Sequence, residues 1–247
     1  MGLVFGLVRD RAWSDVGDFN LALGDVNESE HQAHEALSTW GEQPQVLLHL
    51  AYCKLVKGQT EAARTCLAAL SGDLVYGGEA RELLRRMDED PLLRADPQIA
   101  HWRSIMLTED RPVAWPVLLD RCQQLLARNP RNRMAFEYLM AAYLLRLELG
   151  NLAGEMHHLR DLGYDHIPRH YEEGVLLFEK ENGRQVDRGG LAISRASLQS
   201  FADFSEALGA AERRPDAPGG VPAALVRRFG QTYYFYYHFG SPGPRGL

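Results

Sequence analysis

The stretch "PRHYEEG" gathers a guanidinium, an imidazole and two carboxylates: Arg169, His170, Glu172 and Glu173. Those types could supply a general base and an electrostatic partner for a hydrolase-type reaction. A second reading needs no reaction. Pro168 opens a helix, and the positive end of a helix dipole stabilises acidic residues in the first turn. That reading accounts for all the residues and is preferred.

The nine histidines invite a search for metal ligands. His31 and His34 lie three apart on one predicted helix; His166 and His170 lie four apart with Pro168 between them. Neither pair stands in an HExxH arrangement or has a cysteine at ligand spacing, so neither a metal nor a cofactor is expected. There is no GxSxG, no P-loop and no GxGxxG followed by a helix. In "ISRASLQSF", Ser194 or Ser197 suits a helix start, where a hydroxyl caps free amides. No catalytic activity is expected.

Two further groups suit recognition. "PRNRMAFEY" sets Arg131 and Arg133 near Glu137 and Tyr138 at a helix start, where arginine and helix amides could together hold an anion. A local Arg133–Glu137 pair at i, i+4 is the simpler reading. The tail "GQTYYFYYHFG" has aromatic side chains at every position from Tyr233 to Tyr237 and again at Phe239. Helical spacing puts Phe229, Tyr233, Tyr236 and Tyr237 near one face, and Tyr234 with His238 on another. A short terminal helix capping the preceding helices is the leading expectation, because an array of helical repeats otherwise ends in an exposed apolar face. A partner-binding surface is second and a membrane-interface belt third. The candidate partner-binding residues are therefore Arg133, Glu137, Tyr138, Arg169, His170, Tyr234, Tyr236 and Tyr237.

The elements that would carry these residues are all helical. Gly24 and Gly58 lie 34 residues apart, each followed by a polar turn and an alanine-rich helix, "GDVNESEHQAHEAL" and "GQTEAARTCLAAL". Glycine there supplies the left-handed conformation that stops the first helix of a pair. Around Gly58, Leu47, Leu50, Ala51, Ala63, Leu67 and Leu70 alternate bulky and small residues as two close-packed helices require. Around Gly24 the corresponding sites are Trp13, Gly17, Ala33 and Ala36, with Ser29 where alanine is usual.

Further helices are predicted over 78–87 and about 99–107, the two separated by "DEDPLLRADPQ". Another starts at Pro116 with a stripe of Leu118, Cys122, Leu125 and Leu126. The clearest runs from Met134 through Phe136, Leu139, Met140, Tyr143, Leu144 and Leu147, with Gly150 ending it. Three more follow: about 152–162, one from Pro168 carrying Tyr171, Val175, Leu176 and Phe178, and one carrying Leu198, Phe201, Phe204 and Leu208. "RRPDAPGGVPA" reads as a linker and the last helix begins near Pro222.

The 34-residue period and its residue types resemble the tetratricopeptide repeat over about residues 8–72. Three later stretches, "NRMAFEYLMAAYLL", "HIPRHYEEGVLLF" and "FGQTYYFYYHFG", resemble the soluble C-terminal part of an uncharacterised bacterial family. Longer members of that family carry a multi-helix membrane portion. The resemblance implies helical repeats and allows association with a membrane protein; it implies no activity.

The composition agrees with a helical binding module. A net charge of -6 argues against a nucleic-acid partner, which calls for a basic excess. Lys54, Lys57 and Lys180 are the only lysines. Cys53, Cys66 and Cys122 form no CxxC and favour a reducing compartment. The apolar start "MGLVFGL" is too short for a signal-peptide core of about 7 to 15 residues. The expected fold is all-α: antiparallel helix pairs in a tetratricopeptide-like solenoid, capped by a C-terminal aromatic helix. Its expected segments are 1–110 (repeats), 111–182 (a second set of hairpins) and 183–247 (capping helices). The expected function is a non-catalytic scaffold that binds a protein or peptide in the cytoplasm. The alternatives are the structural tail of an assembly at a bacterial membrane and, behind it, a hydrolase-type enzyme.

Overall fold

The computed structural model describes residues 15–107, 118–213 and 223–240. Trp13, the apolar start, Pro116, the border at 110 and most of the linker before Pro222 lie outside those residues. The described chain is all helix, turn and bend, without a strand. It forms two compact units, Met1–Ala135 and Phe136–Leu247.

In the first unit, α1 (described over 15–23) and α2 (Val26–Trp40) form one helix pair, and α3 (Pro44–Val56) and α4 (Thr60–Leu70) the next. Both pairs turn by the same device. At Gly24 (φ 98°) and Gly58 (φ 74°) the backbone is left-handed. Asp25 N bonds Asn20 O and Gly24 N bonds Leu21 O; Gln59 N bonds Lys54 O and Gly58 N bonds Leu55 O. This double closure satisfies the last carbonyls of each first helix. At Gly24 a side chain is excluded twice over, since a Cβ would lie 2.6 Å from Ile105 O.

α5 (Gly77–Glu89), α6 (Pro97–Ile105) and α7 (Leu118–Arg128) complete the unit. Asp96 caps α6, its carboxylate accepting from Gln98 N and Ile99 N at 2.9 Å. Ala51, Leu55, Ala63, Leu67, Leu70, Ala80, Leu83 and Met87 form one buried cluster across α3, α4 and α5. Full burial of one such aliphatic side chain stabilises by roughly 1.5–3 kcal/mol. Glu30 of α2 is gripped by Lys54 of α3 and by Lys57 just after it, which gives two of the three lysines a structural use.

α8 (Arg133–Leu145) crosses from the first unit into the second, where it buries Phe136, Leu139, Met140, Tyr143 and Leu144. Its end corrects the sequence reading. Gly150 does not stop it; Gly150 lies inside α9 (Leu149–Glu155), which continues as a short 3-10 turn at Met156–His158. The stop is Leu147, itself left-handed at φ 60°, with Glu148 N bonded to Tyr143 O and Leu147 N to Leu144 O. Gly163 (φ 80°) repeats the pattern through Tyr164 N to Leu159 O and Gly163 N to Arg160 O. The same turn thus occurs at four places in the described chain.

α10 (Arg169–Asn182) and α11 (Arg195–Glu212) follow, then two short helices where one was expected: α12 (Ala223–Phe229) and α13 (Tyr233–Phe239). Thr232 separates these two by capping α13, its hydroxyl accepting from Phe235 N. Gly174 of α10 is a close-approach site, for a Cβ there would meet Leu152 Cδ2 at 2.7 Å. α10 packs on α9, α11 and α13 and is the central helix of the unit.

Candidate functional site

Glu172 and Glu173 are buried in the second unit, at 4% and 1% exposure, a burial that carboxylates tolerate only when paired or hydrogen-bonded. Each accepts three hydrogen bonds, Glu172 from the start of a later helix and Glu173 from its own first turn and from a later helix. Glu172 Oε1 accepts from Ser194 N at 2.7 Å, and Oε2 accepts from Ser194 Oγ at 2.8 Å and from Ser197 Oγ. Glu173 Oε1 accepts from Arg169 Nε at 2.8 Å; Oε2 accepts from Tyr233 N at 2.6 Å and His170 Nδ1 at 3.1 Å. Adjacent residues of one helix thereby sit at the N-termini of two later ones, Glu172 at α11 and Glu173 at α13. Amides at a helix start lack internal partners and favour negative charge, which accounts for both placements.

The first turn of α10 and the start of α11 also border an open cleft of about 580 Å³. Ile167, Ala192 and Ala196 supply apolar lining, and His166, Arg169 and Ser200 supply polar lining together with Glu172, Glu173 and the serines that bond Glu172. Arg169 and His166 are more than half exposed. Ser194 is committed twice, donating to Glu172 and accepting from Ser197 N at 3.2 Å. His170 bonds Glu173 rather than a serine.

The structure brings Arg169 and His170 together through Glu173. Tyr234 leaves the set of surface candidates: it is 0% exposed, with ring centroids 4.7 Å from Phe204, 5.6 Å from Phe201 and 6.3 Å from Phe229, and its hydroxyl bonds Ser200. Tyr233 is buried too, donating to Leu144 O at 2.8 Å, and burial raises its phenol above the ordinary tyrosine range. Tyr236 and Tyr237 are half-buried beside Tyr233, and Tyr237 donates to Glu181 at 3.2 Å. Arg133, Glu137 and Tyr138 are exposed on α8, and Glu137 accepts from Tyr164 at 2.7 Å.

The four histidines considered as metal ligands each face a carboxylate: His31 with Glu35, His34 with Glu30, His166 with Asp165 and His170 with Glu173. Among the described residues, no three His, Cys, Asp or Glu side chains stand together as a metal site would need. Burial pushes the Cys122 thiol up to about 12, which makes it a poor thiolate.

One polar cluster was missed in the sequence. In the first unit His49 Nδ1 lies 2.8 Å from Asp18 Oδ1, and its Nε2 lies 2.7 Å from Ser29 Oγ. The order Asp, His, Ser has the outline of a nucleophile triad. Ser29 is 0% exposed and donates to Gly17 O at 2.9 Å, so its hydroxyl neither reaches a substrate nor gives its proton to the imidazole. The signal was Ser29 itself, the departure from alanine in the first repeat, together with Gly17, where a Cβ would stand 3.0 Å from His49 Nε2.

A family model matches residues 2–240. The chain belongs to this family, DUF6057, a family of unknown function. Searches of curated proteins and of solved structures return no match. Among the described residues of this DUF6057 member, no helix is long and apolar enough to cross a membrane.

Proposed function

We propose that the chain is a non-catalytic helical-repeat scaffold of the tetratricopeptide kind that holds a peptide or protein segment. The observation that carries the reading is the cleft at α10 and α11. It is open, it has an apolar lining next to exposed Arg169 and His166, and the carboxylates beneath it are engaged by the protein's own amides and hydroxyls. A base for general catalysis has to reach a substrate proton with a free oxygen; Glu172 and Glu173 line the cleft, but their oxygens are held by Ser194, Ser197, Arg169, His170 and the Tyr233 amide. The cleft suits a short segment with a small apolar side chain beside an acidic one, the carboxylate meeting Arg169 by a charge-assisted bond. The recurring left-handed turns at Gly24, Gly58, Leu147 and Gly163 support the repeat character.

The test is a peptide-display selection on the full chain, repeated with Ala196→Trp, an exposed position whose enlargement fills the cleft. The reading expects enriched acidic peptides that bind the parent and lose at least about tenfold in affinity on the variant, roughly 1.4 kcal/mol, with its melting temperature unchanged. Equal binding to both proteins would move the partner site elsewhere. The scaffold is placed in the cytoplasm, with attachment at a bacterial membrane as the alternative. Fractionation of the tagged full-length gene product separates the two.

A further inference from the structure

The geometry around His49 suits a protonated ring. Ser29 Oγ lies 2.9 Å from Gly17 O, which can only accept, and 3.4 Å from Cys53 Sγ. With the hydroxyl proton on the carbonyl, Ser29 Oγ offers a lone pair to His49 Nε2 at 2.7 Å, and Nε2 donates. On the other side of the ring the Asp18 carboxylate can only accept, so Nδ1 donates as well. A ring that donates from both nitrogens is an imidazolium.

The ring joins three helices. Asp18 and the Gly17 carbonyl belong to α1, Ser29 to α2, and His49 to α3 with Cys53 one turn on, its sulfur 3.7 Å from Nε2. Cys53 and Asp18 are the titratable groups facing the imidazole; Glu30 of α2 turns to Lys54 and Lys57, and Arg103 of α6 bonds Leu55 O and Val56 O. The far end of α1 is anchored independently, by Asn132 Nδ2 to Leu23 O at 2.9 Å and Leu107 N to Gly24 O at 3.0 Å. The described start of α1 thus depends on the imidazolium.

We propose that His49 is a proton latch: charged, it ties the Gly17–Asp18 turn of α1 to α2 and α3, and loss of its proton frees that turn while the far end of α1 stays anchored. Burial alone would lower the imidazole, but its hydrogen bonds to Asp18 and Cys53 outweigh that and raise it from 6.5 to about 9. The folded value lies above the unfolded one. The latch is therefore complete below about pH 6.5, weakens through the interval and is gone above about 9. Release of one proton on opening makes the opening equilibrium of residues 15–19 rise about tenfold per pH unit across that window.

The experiment is nitrogen-15 NMR of the His49 ring in the full chain, with amide hydrogen exchange of residues 15–19 corrected for intrinsic rates, from pH 6 to 10. Both ring nitrogens are expected to be protonated at pH 7.5, and opening should rise from about pH 6.5 and level off as the ring titrates near 9. The Asp18→Asn variant, at a largely exposed carboxylate, should lower the ring's midpoint by about 1–3 units and remove the pH dependence of opening. Exchange within α4 should be unchanged. A neutral ring at pH 7.5, or opening indifferent to the ring's titration, overturns the latch.

Discussion

The polar centres of the two units carry opposite charge. The first is built on a cation, His49 held between three helices, and the second on two carboxylates, Glu172 and Glu173, beneath two helix N-termini. In the first unit Arg103 also bonds the carbonyls at the end of α3, Leu55 O and Val56 O. Anions at helix starts and cations at helix ends follow the helix dipole. The difference lies in reach: His49 fastens neighbouring helices of the first unit, whereas Glu173 fastens a helix that begins 60 residues later. Charge is used in both as a tie between helices, for a buried charge persists only where it is fully bonded.

The largest expected effect is in the second unit. Tyr234→Ala should cost about 3–5 kcal/mol in chemical denaturation, because a fully buried ring leaves a cavity among Phe201, Phe204 and Phe229. Tyr237→Ala, at a half-buried position, should cost about 1 kcal/mol or less. Equal losses would mean that the tail is not sided as described. Next, Glu173→Ala should cost about 1–3 kcal/mol, chiefly by orphaning the buried Tyr233 N, since the exposed Arg169 and His170 regain water, with melting of α13 leading that of α11.

The two turn glycines sharpen the comparison within the first unit. Gly58→Ala makes only an ordinary contact, with Leu92 Cδ2 at 3.7 Å, and carries just the left-handed penalty of about 1–2 kcal/mol. Gly24→Ala carries the same penalty and also drives a Cβ toward Ile105 O, so its loss in thermal melting should be larger by at least about 1 kcal/mol. The smallest effect is acidic. Burial tends to raise the Glu30 carboxyl, yet the bonds from Lys54 and Lys57 outweigh it and hold the group below its ordinary 4.5. That contribution is present above about pH 4.5 and fades as pH falls through the folded value, so Glu30→Gln should flatten the acid limb of the stability profile below pH 4.5 and leave the alkaline limb unchanged.

The legibility of the fold followed residue chemistry at single stations. Gly24 and Gly58 announced their turns because glycine is the residue that sits there without strain. Leu147 makes the same turn and was invisible, since leucine carries no sign of a left-handed backbone, and Gly150 nearby drew the boundary to the wrong place. Thr232, a good cap, divided a run that aromatic periodicity had made look continuous. The dipole argument held for Glu172, which stands in the first turn of α10, but did not show that both side chains also reach the starts of later helices. Local sequence shows an acidic first turn of α10; it does not show that α11 and α13 fold back onto it. Ser29 was legible as an irregularity, but its meaning depended on His49, 20 residues away.

The most direct measurement of the central claim, that the carboxylate pair fastens α11 and α13 to α10, is amide hydrogen exchange on Glu172→Gln and Glu173→Gln. Glutamine keeps the size of the side chain and leaves one accepting oxygen in place of two. The account predicts reciprocal loss of protection: Glu173→Gln exposes 233–239 and spares the start of α11, and Glu172→Gln exposes the start of α11 and spares 233–239. Unchanged protection in both variants would contradict it.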